Sequence, residues 1–341
     1  AAAAAAATGR YSSVECHGKT VRLRTCVYRD VCVQPKPGLK SRVTFYRRRG
    51  AAAPDRSAYG VRLRNVNAQH YKGDYSDAAD HGEELRGAWV PDAADGPRPA
   101  AAVEVATAVH YDFAFPAIWG HVLIDDFLAA YAAVAEEDGR VPDDVALLLA
   151  RGCRRVPFVT ETERAHGPAS CRLSHEVLAT LLTRRNATVA AEVAETTCYK
   201  RLVVGLAGRA PSLGMEGALE HDARAHAPTV RAFFDHMLAR LDALRPARGD
   251  EAIFSQDRGS PPVLACLLSR SRRRVENLED FCKTAAARHG YRRDVVAFPR
   301  FVRAGGDGFV DDRGDAFDLL ERVRRVARAA VVVTPAGSLS F

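Results

Sequence analysis

Apolar and polar residues alternate one by one near the start of the chain, shift to a helical rhythm in its middle, and settle into strand and helix blocks towards its end. Residues 14 to 46 read as short strands, since VRLRTCVYR and RVTFYRR set apolar positions against basic ones. Residues 47 to 100, rich in Ala, Asp, Gly and Arg, show little periodicity and read as a long surface excursion. AAVEVATAV (Ala101 to Val109) reads as a buried strand leading into a helix with Pro116 in its first turn, where a missing N–H costs nothing. DVALLLA (Asp144 to Ala150) and KRLVVGL (Lys200 to Leu206) are two more strands. From Glu220 to Leu244 the spacing of Val230, Phe233, Phe234, Met237, Leu238 and Leu241 predicts an amphipathic helix. The turn-rich stretch RPARGDEAIFSQDRGSPP follows as a linker. Beyond it runs a βαβαβ alternation: VLACLLS, the helix NLEDFCKTAAARHG ending at Gly290, DVVAFP, the helix AFDLLERVRRVARA, and AVVVT. Such alternation builds a parallel sheet with ligands beyond the carboxyl ends of its strands.

One helix departs from the simple pattern. FPAIWGHVLIDDFLAAY, Phe115 to Tyr131, has the apolar density of buried structure yet carries His121, Asp125 and Asp126. On an α-helical wheel its apolar residues spread around most of the circumference, so the helix is buried. His121 and Asp125, four apart, share one strip. Asp126 falls in the apolar sector, where a carboxylate needs a donor or a cavity. A His–Asp pair there either fixes the helix to a neighbouring loop or lines a cleft and acts as a general base.

The last block supplies cationic and small residues at strand ends. LLSRSRRRVEN sets Arg270 at the end of a strand, with Arg272, Arg273 and Arg274 on the turn before a helix. Guanidinium groups beside free helix N–H donors suit a diphosphate; a solvated basic face is the plainer reading. VVVTPAGSLSF has the same shape, with Thr334, Gly337 and Ser338 able to bring backbone close to a phosphate or ribose.

Length and composition narrow the class. At 341 residues the chain exceeds the usual size of one hydrophobic core, so two domains are expected. No apolar run approaches the ~20 residues that span a bilayer. The opening AAAAAAATGRYSS reads as a disordered tail lacking the basic start and Leu-rich centre of a signal peptide. The net charge of +7 includes the arginine runs YRRRG and SRSRRRVEN. No aromatic residues are interleaved with these arginines, which argues against nucleic acid. Eight cysteines, at 16, 26, 32, 153, 171, 198, 266 and 282, accompany an NAT sequon at Asn186. An even count with an N-terminal trio fits an oxidising compartment. Disulfides among Cys16, Cys26, Cys32, Cys153, Cys171 and Cys198 compete with buried thiols and with zinc, and no C-x-x-C pair supports the metal. Cys266 and Cys282 read as free core thiols.

Four segments, taken in order, resemble glycosyltransferase family 61. CHGKTVRLRTCVYRDVCV is similar to the family's cysteine-containing entry, and WGHVLIDDFLAAY to its G-H/M-H-x-x-x-D-(N/D)-L-x-P-x-(Y/F) helix, matching at His121, Asp125, Asp126 and Tyr131. CYKRLVVGL resembles its C-(F/Y)-x-x-x-x-V-G-L strand. LLSRSRRRVENLEDF resembles its arginine element, matching at Ser269, Arg270 and Arg274, with the Asn one residue early at Asn277. Pro335 stands where the family has the His of a His-Gly-Ala motif.

The resemblance implies an α/β enzyme of two Rossmann-like domains, GT-B-like, that is lumenal and inverting. Its expected layout is a tail over 1–13, an acceptor-side domain over 14–245, a linker over 246–262, and a nucleotide-sugar domain over 263–341 that stops short of a complete donor site. It implies transfer of GlcNAc or a pentose from a UDP-sugar to a hydroxyl of a protein-linked or polysaccharide acceptor. Expected catalytic residues are His121, Asp125 and Asp126. Arg270, Arg274, Asn277, Thr334, Gly337 and Ser338 are expected on the donor. No cofactor or metal is required, no nucleic acid partner is expected, and any membrane contact is expected through an N-terminal anchor not in this sequence. The alternative is a non-catalytic glycan- or peptide-binding protein of the same fold that has lost donor binding.

Overall fold

The computed structural model describes residues 10–18, 21, 24–35, 41–63, 88–112, 122–138, 144–153, 171, 175, 179–185, 187–206, 219–244, 261–269, 277–298, 302–303, 309–310 and 331–333. The fold is mixed α/β. It divides into two compact units: Ala1–Pro116, His121–Pro157 and Ser174–Phe233 form one, and Ala117–Gly120, Phe158–Leu173 and Phe234–Phe341 the other.

The first unit is built on an eight-stranded sheet. Its strands are β1 (Ser13–His17), β2 (Thr25–Val33), β3 (Val43–Arg47), β4 (Asp92–Asp95), β5 (Val103–Tyr111), β6 (Ala146–Leu149), β7 (Thr188–Val189) and β8 (Thr197–Val204). The order is β4-β3-β2-β8-β5-β6-β7, with β1 against β2. Strands β8, β5, β6 and β7 run parallel to one another, while β2 is antiparallel to β1, β3 and β8. The expected early strands, the Ala101 strand and the two later ones are all present. β8 begins three residues before Lys200, at Thr197. The alternating pattern is legible because β2, β5 and β8 pack Cys26, Tyr28, Val105, Ala108, Leu202 and Val204 into a common core.

Within β2 the alternation changes phase: Tyr28 and Val31, an odd number of residues apart, both enter that core. The change falls at Asp30, a left-handed residue at φ 53°, a conformation Asp tolerates better than most residues. Its carboxylate is held between Arg98 at 3.7 Å and Arg10 at 3.8 Å, and its carbonyl accepts from Ser12 Oγ. Ser12 also donates its N–H to the Tyr46 carbonyl. Residues 10 to 13 of the expected tail are thus bonded to the sheet, and the remainder of that tail lies outside the described residues.

The stretch from 47 to 100 is more integrated than its composition predicts. It holds helix α1 (Arg56–Tyr59), capped by the Asp55 side chain, and strand β4. Val61 is fully buried and pairs with Trp89, which stacks edge-on against Tyr28 and His110. Scattered apolar residues reach the core here without any repeat, so periodicity does not reveal them.

Of three further helices, two belong to the first unit and the third passes from it into the second at Phe234. Helix α2 runs as a π-helical turn over Val122–Leu128 and as α-helix over Ala129–Asp138. Every residue from Asp126 to Val134 is buried, as expected for a helix apolar on all sides. Helix α3 covers Ala179–Leu182, and α4 covers Leu219–Leu244. In α4 the residues Phe233, Met237 and Leu241 of the expected stripe are buried.

The second unit contains β9 (Val263–Ser269), α5 (Leu278–His289), β10 (Arg292–Phe298), β11 (Val302–Arg303), β12 (Phe309–Val310) and β13 (Val331–Val333). Strands β10, β9 and β13 form a parallel sheet in that order, with β11 and β12 a separate antiparallel pair that the sequence pattern does not announce. Gly290, at φ 69°, ends α5 in the left-handed conformation that glycine adopts without penalty. The expected helix between β12 and β13 and the linker over 246–262 lie outside the described residues, apart from Pro261 and Pro262.

All eight cysteines are in disulfide form, the state of a chain that matures in an oxidising compartment. Cys16–Cys26 and Cys32–Cys198 each join residues directly opposite one another on antiparallel strands. Cys153 and Cys171 are also disulfide-bonded. The reading of Cys266 and Cys282 as free core thiols is incorrect, because the two are bonded to each other. The stripe Leu278, Cys282 and Ala286 of α5 packs on Leu264 and Cys266 of β9. That packing brings the two Cα atoms to 6.4 Å, within bridging range.

Candidate functional site

In the first unit the chain leaves β5 for β6 on one side and returns to β8 on the other. In open parallel sheets such a reversal opens a crevice at the carboxyl ends of the strands on either side of it. Here those ends are Tyr111 with Asp112 on β5, and Val204 with Gly205 on β8. The Gly205 end is filled by the protein itself. At φ 82°, a Cβ there would stand 2.2 Å from the Arg24 carbonyl oxygen, and Thr25 Oγ1 donates to the Gly205 carbonyl at 2.5 Å.

The β5 end carries the chemistry. Tyr111 is fully buried, and its hydroxyl lies 3.4 Å from His175 Nδ1. Phe127 from α2 stands edge-on to the same imidazole at 5.8 Å. Burial pushes His175 down to about 3, so its imidazole is neutral at physiological pH. Burial holds the Tyr111 phenol well above its ordinary range, and the negative charges of Asp126 and Asp112 add to the effect. The phenol is therefore a hydrogen-bonding group and not a base. Just beyond it, Arg151 Nε donates to Asp112 Oδ1 at 2.7 Å, joining the ends of β5 and β6. One residue inward, His110 Nδ1 donates to the Leu148 carbonyl at 2.8 Å, and burial pushes this imidazole down to about 4.

Of the three residues expected to be catalytic in this unit, His121 lies outside the described residues. Asp125 belongs to the π-helical turn, and its side chain is outside them too. Asp126 is fully buried, close enough to Tyr111 for its charge to act on the phenol. The turn changes the geometry assumed from the sequence. In π-helix the bonded spacing is five residues instead of four, so an α-helical wheel does not give the facing of residues 122 to 128. Such turns occur often at functional sites. Asn186 is outside the described residues.

Sequence reasoning missed Tyr111, Asp112, Arg151 and His175. The signal for the first two is their position at the end of a parallel strand; His175 sits in a segment with no legible periodicity.

In the second unit β9 is central: the chain passes from β9 to β10 on one side and later to β13 on the other. The reversal falls between the carboxyl ends of β9 and β13, at Ser269 and Val333. Arg270 follows Ser269 and Thr334 follows Val333 in the chain. Arg270, Arg274, Thr334, Gly337 and Ser338 themselves lie outside the described residues. Asn277 is exposed immediately before α5, and its side chain makes no capping hydrogen bond there. Glu279 and Asp280 occupy the first turn of α5 and meet part of its positive end. A phosphate near that end would depend on guanidinium groups. Among the described residues no cluster of three or more His, Cys, Asp or Glu is arranged to hold a metal ion.

No protein-family model matches the chain, and no curated protein matches it either.

Proposed function

We propose that the chain is an inverting glycosyltransferase with two Rossmann-like units, resembling glycosyltransferase family 61. It would move GlcNAc or a pentose from a UDP-sugar to a hydroxyl of a protein-linked or polysaccharide acceptor. The observation that supports this most is the strand order β10-β9-β13, whose direction reverses between two strand ends. Ligands of open α/β sheets bind at such a reversal, and the arginine turn and the Thr334 turn are the segments that follow those two ends in the chain.

In this reading Arg270 and Arg274, with the backbone of the Thr334 to Ser338 turn, offset the charge that builds on the leaving diphosphate. Asn277 lies at the same end of the sheet. Asp125 or His121 removes the acceptor proton as the hydroxyl attacks the anomeric carbon from the face opposite the diphosphate. The acceptor C–O bond forms as the sugar–phosphate bond breaks, and the electron pair leaves with UDP. Asp126 and His175 bear on Tyr111, a fully buried carboxylate through its charge on the phenol and a neutral imidazole 3.4 Å from the hydroxyl. The disulfides and the Asn186 sequon suit maturation in the endoplasmic reticulum and residence there or in the Golgi.

Asp125→Asn and Arg270→Ala should each lower sugar transfer at least ~100-fold, the usual cost of one lost transition-state contact. The check is UDP release with UDP-GlcNAc and UDP-xylose over a panel of hydroxyl acceptors. Full turnover in both variants removes the assignment. Pro335, at the position of the family's His, favours a second reading in which the fold binds glycans without transferring sugar. Acceptor binding without any UDP release would select that reading.

A further inference from the structure

Asp112 and Arg151 extend β5 and β6 beyond their last paired residues, Tyr111 and Leu149. The backbone fixes both ends. Asp112 N–H donates to the Leu63 carbonyl at 3.1 Å, and Ala150 N–H donates to the Tyr111 carbonyl at 2.9 Å. Behind Arg151 there is little slack, since a Cβ on Gly152 would come within 3.3 Å of Val189. The ion pair uses Nε of Arg151, and 29% of that side chain and 18% of Asp112 remain exposed.

Contact through Nε engages the side edge of the guanidinium and leaves the end edge, between its two Nη groups, for a second anion. That edge is flat and rigid, and it matches the two oxygens of a carboxylate in parallel hydrogen bonds. Asp112 plays two parts. It sets the plane of the fork, and it cancels the charge of Arg151, so the pair exerts little long-range pull on a doubly charged phosphate. What remains is short-range recognition of a single planar anion, at the end of the sheet where an acceptor is expected to lie.

We infer that Arg151, oriented by Asp112, binds the carboxylate of an acidic sugar residue such as a hexuronate in the acceptor. The inference rests on reading the first unit as the acceptor side. The plain alternative is a staple that joins the ends of β5 and β6 and touches no ligand.

Titration calorimetry with methyl β-glucuronide and methyl β-glucoside separates the two, with UDP titrated independently. The glucuronide should bind at least ~10-fold more tightly than the neutral sugar, the scale of charge-assisted hydrogen bonds. Arg151→Gln should abolish that preference, and Asp112→Asn should weaken it by loosening the fork. UDP affinity should stay unchanged in both. Equal binding of the two sugars by the unaltered protein overturns the inference, even if the variants fail to fold. An undiminished preference in folded Arg151→Gln overturns it as well. Glucuronide preference without UDP binding would retain this site while removing the donor assignment.

Discussion

Acidification should weaken the first unit through His110, by an amount the structure allows to be worked out. His110 is 2% exposed and sits on β5, edge-on to Trp89. Its Nδ1 donates to the carbonyl of Leu148, its register partner on β6. Burial lowers its pKa from 6.5 to about 4, and the backbone hydrogen bond offsets only part of that. Above pH 6.5 the imidazole is neutral in both the folded and unfolded chain, and the full stability is present. Between pH 6.5 and 4 the unfolded chain takes up a proton that the folded one refuses, so stability falls as the pH falls. Below pH 4 both states are protonated and the loss stops growing. At ~1.4 kcal/mol per pH unit, the interval from 6.5 to about 4 is worth about 3 kcal/mol. His110→Gln keeps a donor for the Leu148 carbonyl and removes the titration. Urea unfolding from pH 7.5 to 4, with disulfides oxidised, should give the variant a pH dependence shallower by about 3 kcal/mol. His175, lowered to about 3, contributes equally in both proteins and cancels in the difference. Parallel curves for the two proteins would show that His110 carries no such proton linkage.

Gly205→Ala should destabilise the first unit by roughly 2 to 4 kcal/mol or prevent folding, because its Cβ would meet the Arg24 carbonyl oxygen at 2.2 Å with φ at 82°; the check is the urea midpoint. Replacing Cys266 and Cys282 together by Ala should cost about 3 kcal/mol, the cross-linking value expected for a sequence separation of 16 residues. Limited proteolysis of the second unit measures that loss. The losses of transfer in Asp125→Asn and Arg270→Ala, and of glucuronide preference in Arg151→Gln, complete the set.

What the sequence reveals follows from which forces leave a local trace. Burial of one sheet face imposes alternation on residues 14 to 46, and packing of α5 on β9 imposes a helical stripe ended by Gly290, so these elements are legible. The phase change at Asp30 is not, because a left-handed residue breaks the alternation without altering the composition. Nor is the π-helical turn of α2: apolar residues surround Asp125 and Asp126 closely enough that no periodicity separates a wide turn from an ordinary one. Tyr111 and His175 stand 64 residues apart in the chain, and their contact depends on two distant segments meeting in space. Cys266 and Cys282 pair for a similar reason. Their bond requires the helix to lie back on its own strand, which spacing alone does not state. The strand ends at Ser269 and Val333 are legible for the same local reason, while the donor residues expected after them lie outside the described residues.

In the proposed function the second unit binds a nucleoside diphosphate at the carboxyl ends of β9 and β13. Titration calorimetry with UDP on the intact chain, beside Arg270→Ala and Arg274→Ala, tests it most directly. UDP should bind saturably to the intact chain, with affinity lowered at least ~10-fold by either substitution. No heat of binding to the intact chain, or equal affinity in all three proteins, contradicts it.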